Sequence, residues 1–167
     1  MMLKKLHYGW IMVIIATFVL ATHSFVLFGF GVFLRPVATE FGWERGALSG
    51  AFSLSMLFSG IFALITGRLS DKYGPRILVT ISGISVGVGF ILFAQVNSLW
   101  QTYLIWAVFM GVGGSCAFIP LTSTLPRWFA ERTGMALGIT VAGFGTGGII
   151  TPPLTQWLIS SFGWQQA

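Results

Sequence analysis

The sequence predicts an all-α integral membrane protein. Of its 167 residues, 55% are hydrophobic and only 8% are charged, whereas a soluble domain carries about 25% charged residues. Apolar runs longer than about 18 residues recur along the whole sequence, which is typical of transmembrane helices. The charges are confined to short clusters between these runs, because a charge at the centre of a bilayer costs roughly 2.5–3.5 kcal/mol.

Five apolar runs define the expected transmembrane spans, and clusters of charged or turn-forming residues separate them. Arg35 and Pro36 are expected to stop the first span. A charged island follows the second span, an uncharged turn follows the third, and a second basic cluster follows the fourth. The expected spans are residues 9–34, 46–66, 77–94, 99–121 and 134–160.

Lysine and arginine are distributed unevenly between the two ends of these spans. One end has seven of them, whereas the other has only Arg35 and Arg45. Cytoplasmic loops carry the excess of basic residues in membrane proteins, so we expect a multi-pass protein of the cell (inner or plasma) membrane with a cytoplasmic N-terminus. This pattern accounts for the net charge of +5 without a nucleic-acid partner. The seven residues are Lys4, Lys5, Arg68, Lys72, Arg76, Arg127 and Arg132.

The charged island between the second and third spans, residues 67–76, is expected to be a tight loop at the membrane surface. It contains three cations and one carboxylate. Gly67 and Gly74 permit a turn, and Pro75 suits the first turn of the following helix. From the residues alone, the island is either a solvated loop that orients the chain or an element of the mechanism.

The spacing within the island resembles the loop between the second and third helices of the major facilitator superfamily. In that family this loop latches the two halves of a transporter in one conformation, and the resemblance implies the same role here. It also implies that the chain forms the N-terminal five transmembrane helices of a twelve-helix fold, as a partial six-helix half. The matching pattern is Gly67-x-Leu69-x-Asp71-Lys72-x-Gly74-x-Arg76.

Two further segments are similar to monocarboxylate-type transporters, a branch that includes the bacterial oxalate/formate antiporters. This resemblance implies secondary active or facilitative transport of a small organic anion by alternating access, with no cofactor and no metal ion. It marks Arg127, Glu131 and Arg132 as a second cytoplasmic loop, although those transporters usually carry a base where this chain has Glu131. The segments are Tyr8-Gly9-Trp10 and Trp128-Phe129-x-Glu131-Arg132-x-Gly134-Met135-Ala136-x-Gly138-x-x-x-Ala142-Gly143.

The residues leave two other classes open: a major facilitator carrier for a sugar or drug, and a standalone membrane module that scaffolds a partner. Drug/proton antiporters of the superfamily carry an arginine in helix four, four residues before a glycine. With that glycine at Gly111, Ala107 stands in the arginine's place, so drug/proton antiport is disfavoured. An enzyme is not expected, because there is no Ser/His/Asp constellation or metal-ligand pair.

The fifth expected span contains a run of glycines followed by two prolines. Proline removes a backbone donor and weakens a helix locally, whereas small residues four apart let helix backbones approach closely. The run is therefore either a gating hinge or a packing surface. Its residues are Gly143, Gly147, Gly148, Pro152 and Pro153.

His23 is the only ionisable side chain well inside an expected span. It either lines the substrate pathway and contacts an anionic substrate, or it is a neutral histidine bonded to a neighbouring helix. No lysine or arginine lies at depth in these spans, and the resemblance implies that the second half of the transporter supplies the cation that holds a carboxylate. The expected partners are therefore a small organic anion, the lipid bilayer and a C-terminal half that this chain lacks.

Overall fold

The structure, a computed structural model, describes residues 2–129 and 132–166, except for the side chains of residues 2–8 and of Arg127. Five long helices fill these ranges, and each contains a segment long and apolar enough to cross a membrane. The all-α fold with five membrane spans is therefore confirmed. The helices are α1 (Met2–Phe41), α2 (Arg45–Tyr73), α3 (Pro75–Phe93), α4 (Leu99–Thr124) and α5 (Thr133–Phe162).

Helix α1 continues through Arg35 and Pro36, so the predicted stop at these residues was wrong. Proline removes only one backbone hydrogen bond, and the turn that follows is held by packing. Val37, directly after the proline, is 1% exposed and belongs to the main core. The helix ends at Phe41, and Gly42 then adopts a φ of 66°. Tertiary burial therefore outweighs the local helix-breaking signal.

The charged island is not a ten-residue loop, contrary to the prediction. Helix α2 extends to Tyr73 and helix α3 begins at Pro75, which leaves Gly74 alone between them. Gly67 is helical. A helix of 29 residues is about 43 Å long, whereas the hydrocarbon core is about 30 Å thick. The last turns of α2 therefore carry the charges beyond the hydrocarbon without a loop.

The remaining boundaries differ from the predicted ones by only a few residues. Helix α3 occupies Pro75–Phe93 where 77–94 was expected, and α5 occupies Thr133–Phe162 where 134–160 was expected. Helix α4 runs past residue 121 to Thr124 and leads into a 3-10 turn at Leu125–Arg127. Because helices fray by a residue or two at each end, such differences change no conclusion.

Helix α4 lies at the centre of the bundle. Buried residues make up 56% of its apolar segment, against at most 28% in the other four spans. Its middle, Ile105–Gly111, is a π-helical segment. Trp106 in this segment is fully buried, and its ring meets the rings of Phe30 and Phe93 at centroid distances of 4.5 and 5.8 Å. These aromatic contacts join α1, α3 and α4 in one core.

Serine hydroxyls tie α3 to α4. Ser82 Oγ donates to the carbonyl of Gly113 at 2.6 Å, and Ser85 Oγ donates to that of Phe109 at 2.9 Å. Gly113 also lets the two helices approach, because a Cβ there would lie 2.7 Å from a methyl of Val86. Inter-helix hydrogen bonds and small residues together replace the hydrophobic effect, which does not drive helix association in lipid.

The long interface between α1 and α5 depends on small residues of α5. A Cβ on Gly143 would lie 2.6 Å from the carbonyl oxygen of Thr17, and one on Gly147 would overlap the carbonyl oxygen of Ala21. The two backbones are therefore in near contact. One turn further along, the hydroxyls of Ser24 and Thr151 lie 3.4 Å apart in the buried interface.

Candidate functional site

His23 lies in the middle of α1 and faces a cavity of about 190 Å³ between α1, α2 and α4. Ser55 and Ser59 of α2 are the other side chains in its wall with hydrogen-bonding groups. Gly111 and Gly114 form the α4 side of the cavity. The rest of the wall is apolar and consists of Val26, Leu27, Met56, Met110, Phe118 and Phe144.

The Nε2 atom of His23 is buried and has no hydrogen-bond partner among the residues that the structure describes. Ser55 Oγ donates to the carbonyl of Phe52 within its own helix, at 2.7 Å. The sequence left two roles open for His23, and neither a bond from Nε2 to a neighbouring helix nor a charged neighbour in the cavity is present in the described part of the chain. The pathway role remains a prediction that this geometry supports.

The three glycines of the run expected in the fifth span all lie against α1. Gly143 and Gly147 form the close α1 interface, and a Cβ on Gly148 would lie 2.7 Å from the ring of Phe28. Pro152 and Pro153 are inside α5, which continues without a break to Phe162. Packing therefore accounts for the glycines, and the hinge role of this segment stays a prediction.

An aromatic row separates this glycine segment from the cavity. Phe144 of α5 lies between Phe28 of α1 and Phe118 of α4, at centroid distances of 5.8 and 6.2 Å. Phe118 and Phe144 also line the His23 cavity. These rings therefore connect α1, α5 and α4 at the cavity wall.

The charged island presents its polar side chains to the surface. Asp71 and Lys72 lie on the last turn of α2 and Arg76 on the first turn of α3, and all three are exposed. Leu69 is 37% exposed. The Lys72 ammonium lies 5.2 Å from the ring centroid of Tyr73. The island thus combines exposed charge with a one-residue connection at Gly74.

The two charged clusters lie at the same end of the bundle, which we call the basic end. Arg76 and Trp128 line one cavity of about 400 Å³, together with Met12 of α1, Val79 of α3 and Leu125. Two segments that are 52 positions apart in the sequence are therefore neighbours in the fold. Such proximity is what a latch made from both clusters would require.

The connection between α4 and α5 is anchored on the start of the first span. Phe129 is 4% exposed, and its ring packs edge-on against Trp10 at a centroid distance of 5.4 Å. A Cβ on Gly9 would lie 2.8 Å from the same ring. Arg132 directly precedes α5 and is exposed. Glu131 and the side chain of Arg127 lie outside the described residues.

The opposite end of the bundle holds a contact that the sequence did not predict. Trp164 follows α5, is 7% exposed, and donates from Nε1 to the carboxylate of Glu40. Its ring also packs against Phe41 and Phe93. The contact joins α1, α3 and the segment after α5. Nothing local in the sequence signals it, because a tryptophan near a span end is typical of an interfacial anchor.

The sequence also gave no reason to select Ser59 and Gly114. Both belong to helices rich in serine and glycine, where small residues are expected to pack helices. Only the tertiary arrangement shows that these two face His23 across a cavity. A weak signal for Gly114 is its place in the run Gly111-Val112-Gly113-Gly114, where three of four residues are glycine.

The chain matches, over residues 10–167, the family model described as Major Facilitator Superfamily. It is 31% identical over 160 residues to monocarboxylate transporter 13 of Rattus norvegicus. These residues make up 96% of this chain and 37% of that protein. It is 28% identical over 162 residues to monocarboxylate transporter 11 of Mus musculus, and the alignment covers 96% of this chain and 36% of that protein. The agnestins efflux protein AgnL12 of Paecilomyces divaricatus is 31% identical to the chain over 141 residues, and the alignment covers 81% of this chain and 32% of that protein. The chain thus spans about a third of the length of these relatives.

Proposed function

Because the chain belongs to the Major Facilitator Superfamily, we propose that it is part of a carrier that moves a small organic anion across a cell membrane. The observation that supports this substrate class is the similarity to two proteins named monocarboxylate transporters, each covering 96% of the chain. The contact of Phe129 with Gly9 and Trp10 adds support, because it joins the two segments that resemble that branch.

The mechanism that we propose is alternating access between two helical halves. In such carriers one half rocks against the other around a site near the bilayer midplane. The five helices described above supply part of one half, and a second half supplies the opposite wall and the cation for the carboxylate. The apolar segments of α2 and α5 are only 17% and 22% buried, which leaves wide apolar faces for lipid or for such a partner.

The island motif takes the role of a conformational latch in this proposal. Asp71, Lys72 and Arg76 are exposed at the basic end, on either side of Gly74. Because only one residue separates α2 from α3, the latch residues of both helices lie next to each other at this junction. The basic end faces the cytoplasm in this proposal, following the distribution of lysine and arginine.

A second candidate function is the efflux of a larger organic product. The supporting observation is the similarity to the agnestins efflux protein, 31% identical over 81% of the chain. This similarity covers 81% of the chain, against 96% for the two monocarboxylate transporters, so efflux of a larger product is the second candidate.

Uptake by the intact protein in proteoliposomes tests the substrate class. Labelled oxalate, formate and lactate would be compared with glucose, with protein-free liposomes as the blank. We expect saturable uptake of at least one carboxylate and none of glucose. Uptake of glucose, or indifference to every carboxylate, would contradict the proposal.

Counterflow measured with residues 1–167 alone tests the need for a second half. We expect no saturable counterflow of labelled carboxylate, because the opposite wall of the pathway is contributed by other helices. The intact protein under the same conditions is the positive control. Robust, saturable counterflow by the 167-residue chain would show that these helices suffice.

A further inference from the structure

The cavity around His23 has a polar corner in an otherwise apolar wall. His23 Nε2 is buried there without a hydrogen-bond partner among the described residues. A buried polar atom without a partner costs free energy, and an ionisable residue inside a membrane span is a candidate functional group. The corner therefore has a hydrogen-bonding capacity that the described protein groups leave unused.

Gly114 lies directly opposite this corner. A methyl group on Gly114 would lie 3.4 Å from Ser59 Oγ and 3.6 Å from His23 Nε2, which is ordinary van der Waals contact. The two polar atoms therefore border the same small space in front of Gly114. His23 is on α1 and Ser59 is on α2. Gly114 of α4 borders the space between them.

The neighbouring glycines of α4 are needed for packing, whereas Gly114 is not. A Cβ on Gly111 would lie 2.8 Å from the carbonyl oxygen of Ser55, and one on Gly113 would lie 2.7 Å from Val86. The first substitution meets the backbone of α2, and the second meets a β-branched side chain of α3. At Gly114 no backbone atom comes that close, so its missing side chain leaves room in front of His23 and Ser59 instead of permitting a helix contact.

We propose that His23 Nε2 and Ser59 Oγ bind the oxygen-bearing end of the transported solute over Gly114. This subsite rests on the proposed function and narrows its substrate class. Beyond the corner, this chain's side of the cavity is apolar against Val26, Leu27 and Met56 and offers no ion-pair partner to a second carboxylate. The cation proposed for the second half pairs with one carboxylate, and a second one would be a buried charge without a partner, which is strongly unfavourable. The subsite therefore selects a monocarboxylate with a short apolar body, such as butyrate, over a dicarboxylate such as oxalate.

Transport kinetics of the intact protein test this subsite with matched glycine variants. Gly114→Ala adds a methyl group that fills the space in front of His23 Nε2 and Ser59 Oγ, and we expect the KM for butyrate to rise at least tenfold with unchanged abundance. Gly87→Ala on α3 is the control, because a Cβ there meets no described atom within 4 Å. Ser59→Ala removes the hydroxyl without adding volume, and we expect its KM to rise as well.

A binding measurement tests the subsite independently of transport. In intact protein labelled with ¹⁵N-histidine, the His23 signal is assigned by its loss in His23→Asn, and sodium butyrate is added. We expect the His23 signal to shift in the wild type and not in Gly114→Ala. Wild-type kinetics in Gly114→Ala, an unshifted His23 signal, or a preference for oxalate over butyrate would each overturn the subsite. Absence of any carboxylate transport, with the His23 shift present, would overturn the proposed function and leave the subsite standing.

Discussion

Individual glycines in this protein have different roles that a sequence run conceals. Gly143 and Gly147 lie in the α1–α5 contact, whereas a Cβ on Gly145, between them, would meet no described atom within 4 Å. The same holds for Gly134 and Gly138 near the start of α5. The i, i+4 spacing of small residues therefore marks a helix contact only where a partner backbone lies opposite.

Replacing Gly147 with alanine is expected to destabilise the bundle. The new Cβ would overlap the carbonyl oxygen of Ala21, which is backbone and has no rotamer to change. Overpacking of this kind costs about 1–3 kcal/mol. Unfolding in mixed micelles measures the loss, with Gly145→Ala as the matched control. Equal stability of the two variants would show that the helices separate without cost.

Helix α2 and helix α3 are connected by a single residue in an unusual backbone conformation. Gly74 adopts φ 84° and ψ 158°, a region that only glycine enters without strain, and its N–H donates to the carbonyl of Ser70 at 3.0 Å. The charges of this junction and the proline after it were predictable from the sequence. It did not distinguish Gly67 from Gly74, since both glycines are equally compatible with a turn.

The two glycines of the junction are expected to respond oppositely to alanine. Gly74→Ala forces a side chain into a glycine-only conformation and costs about 1–3 kcal/mol. Gly67→Ala falls within helix α2 with no described atom within 4 Å of the new Cβ, so stability is unchanged or rises by up to about 1 kcal/mol. The free energy of unfolding of both variants, measured in the same micelles, tests this expectation. A larger loss for Gly67→Ala would contradict the helical junction.

The bundle as a whole is tied at both ends. At the basic end Phe129 packs on Trp10, and at the opposite end Trp164 donates to Glu40. Both contacts involve α1 and the ends of α4 or α5. In the mechanism proposed above, such contacts hold the five helices together while one half rocks against the other.

Neutralising Asp71 is expected to impair transport more than folding. The side chain is exposed at the basic end, and in the latch proposal it stabilises one conformation of the carrier. We expect Asp71→Asn to lower the transport rate about tenfold, which corresponds to about 1.4 kcal/mol, with abundance nearly unchanged. Uptake and immunoblotting of the intact protein measure both. Parallel losses of rate and abundance would assign Asp71 a structural role only.

The orientation of the bundle is expected to follow its basic end. Asn97 is exposed in the turn between α3 and α4, and Lys72 is exposed at the basic end. With the basic end cytoplasmic, a membrane-impermeant maleimide labels Asn97→Cys on intact cells and Lys72→Cys only after permeabilisation. The native Cys116 is 4% exposed and serves as the background control. The reverse labelling pattern would contradict the orientation.

The number of spans, the side that carries the positive charge and the family resemblance were all accessible from the sequence. Hydropathy, charge clusters and motif spacing are properties of short segments, and each is set before any helix packs. The helix through Pro36, the role of each glycine and the Trp164–Glu40 bond were not accessible. They depend on which backbone lies opposite a residue, often more than a hundred positions away, as the separation of 124 between Glu40 and Trp164 shows. The same holds for His23, because its proposed role depends on Ser59 and Gly114, which lie on two other helices. In a membrane, where apolar surface is compatible with both lipid and protein, only these close contacts distinguish a buried face from an exposed one.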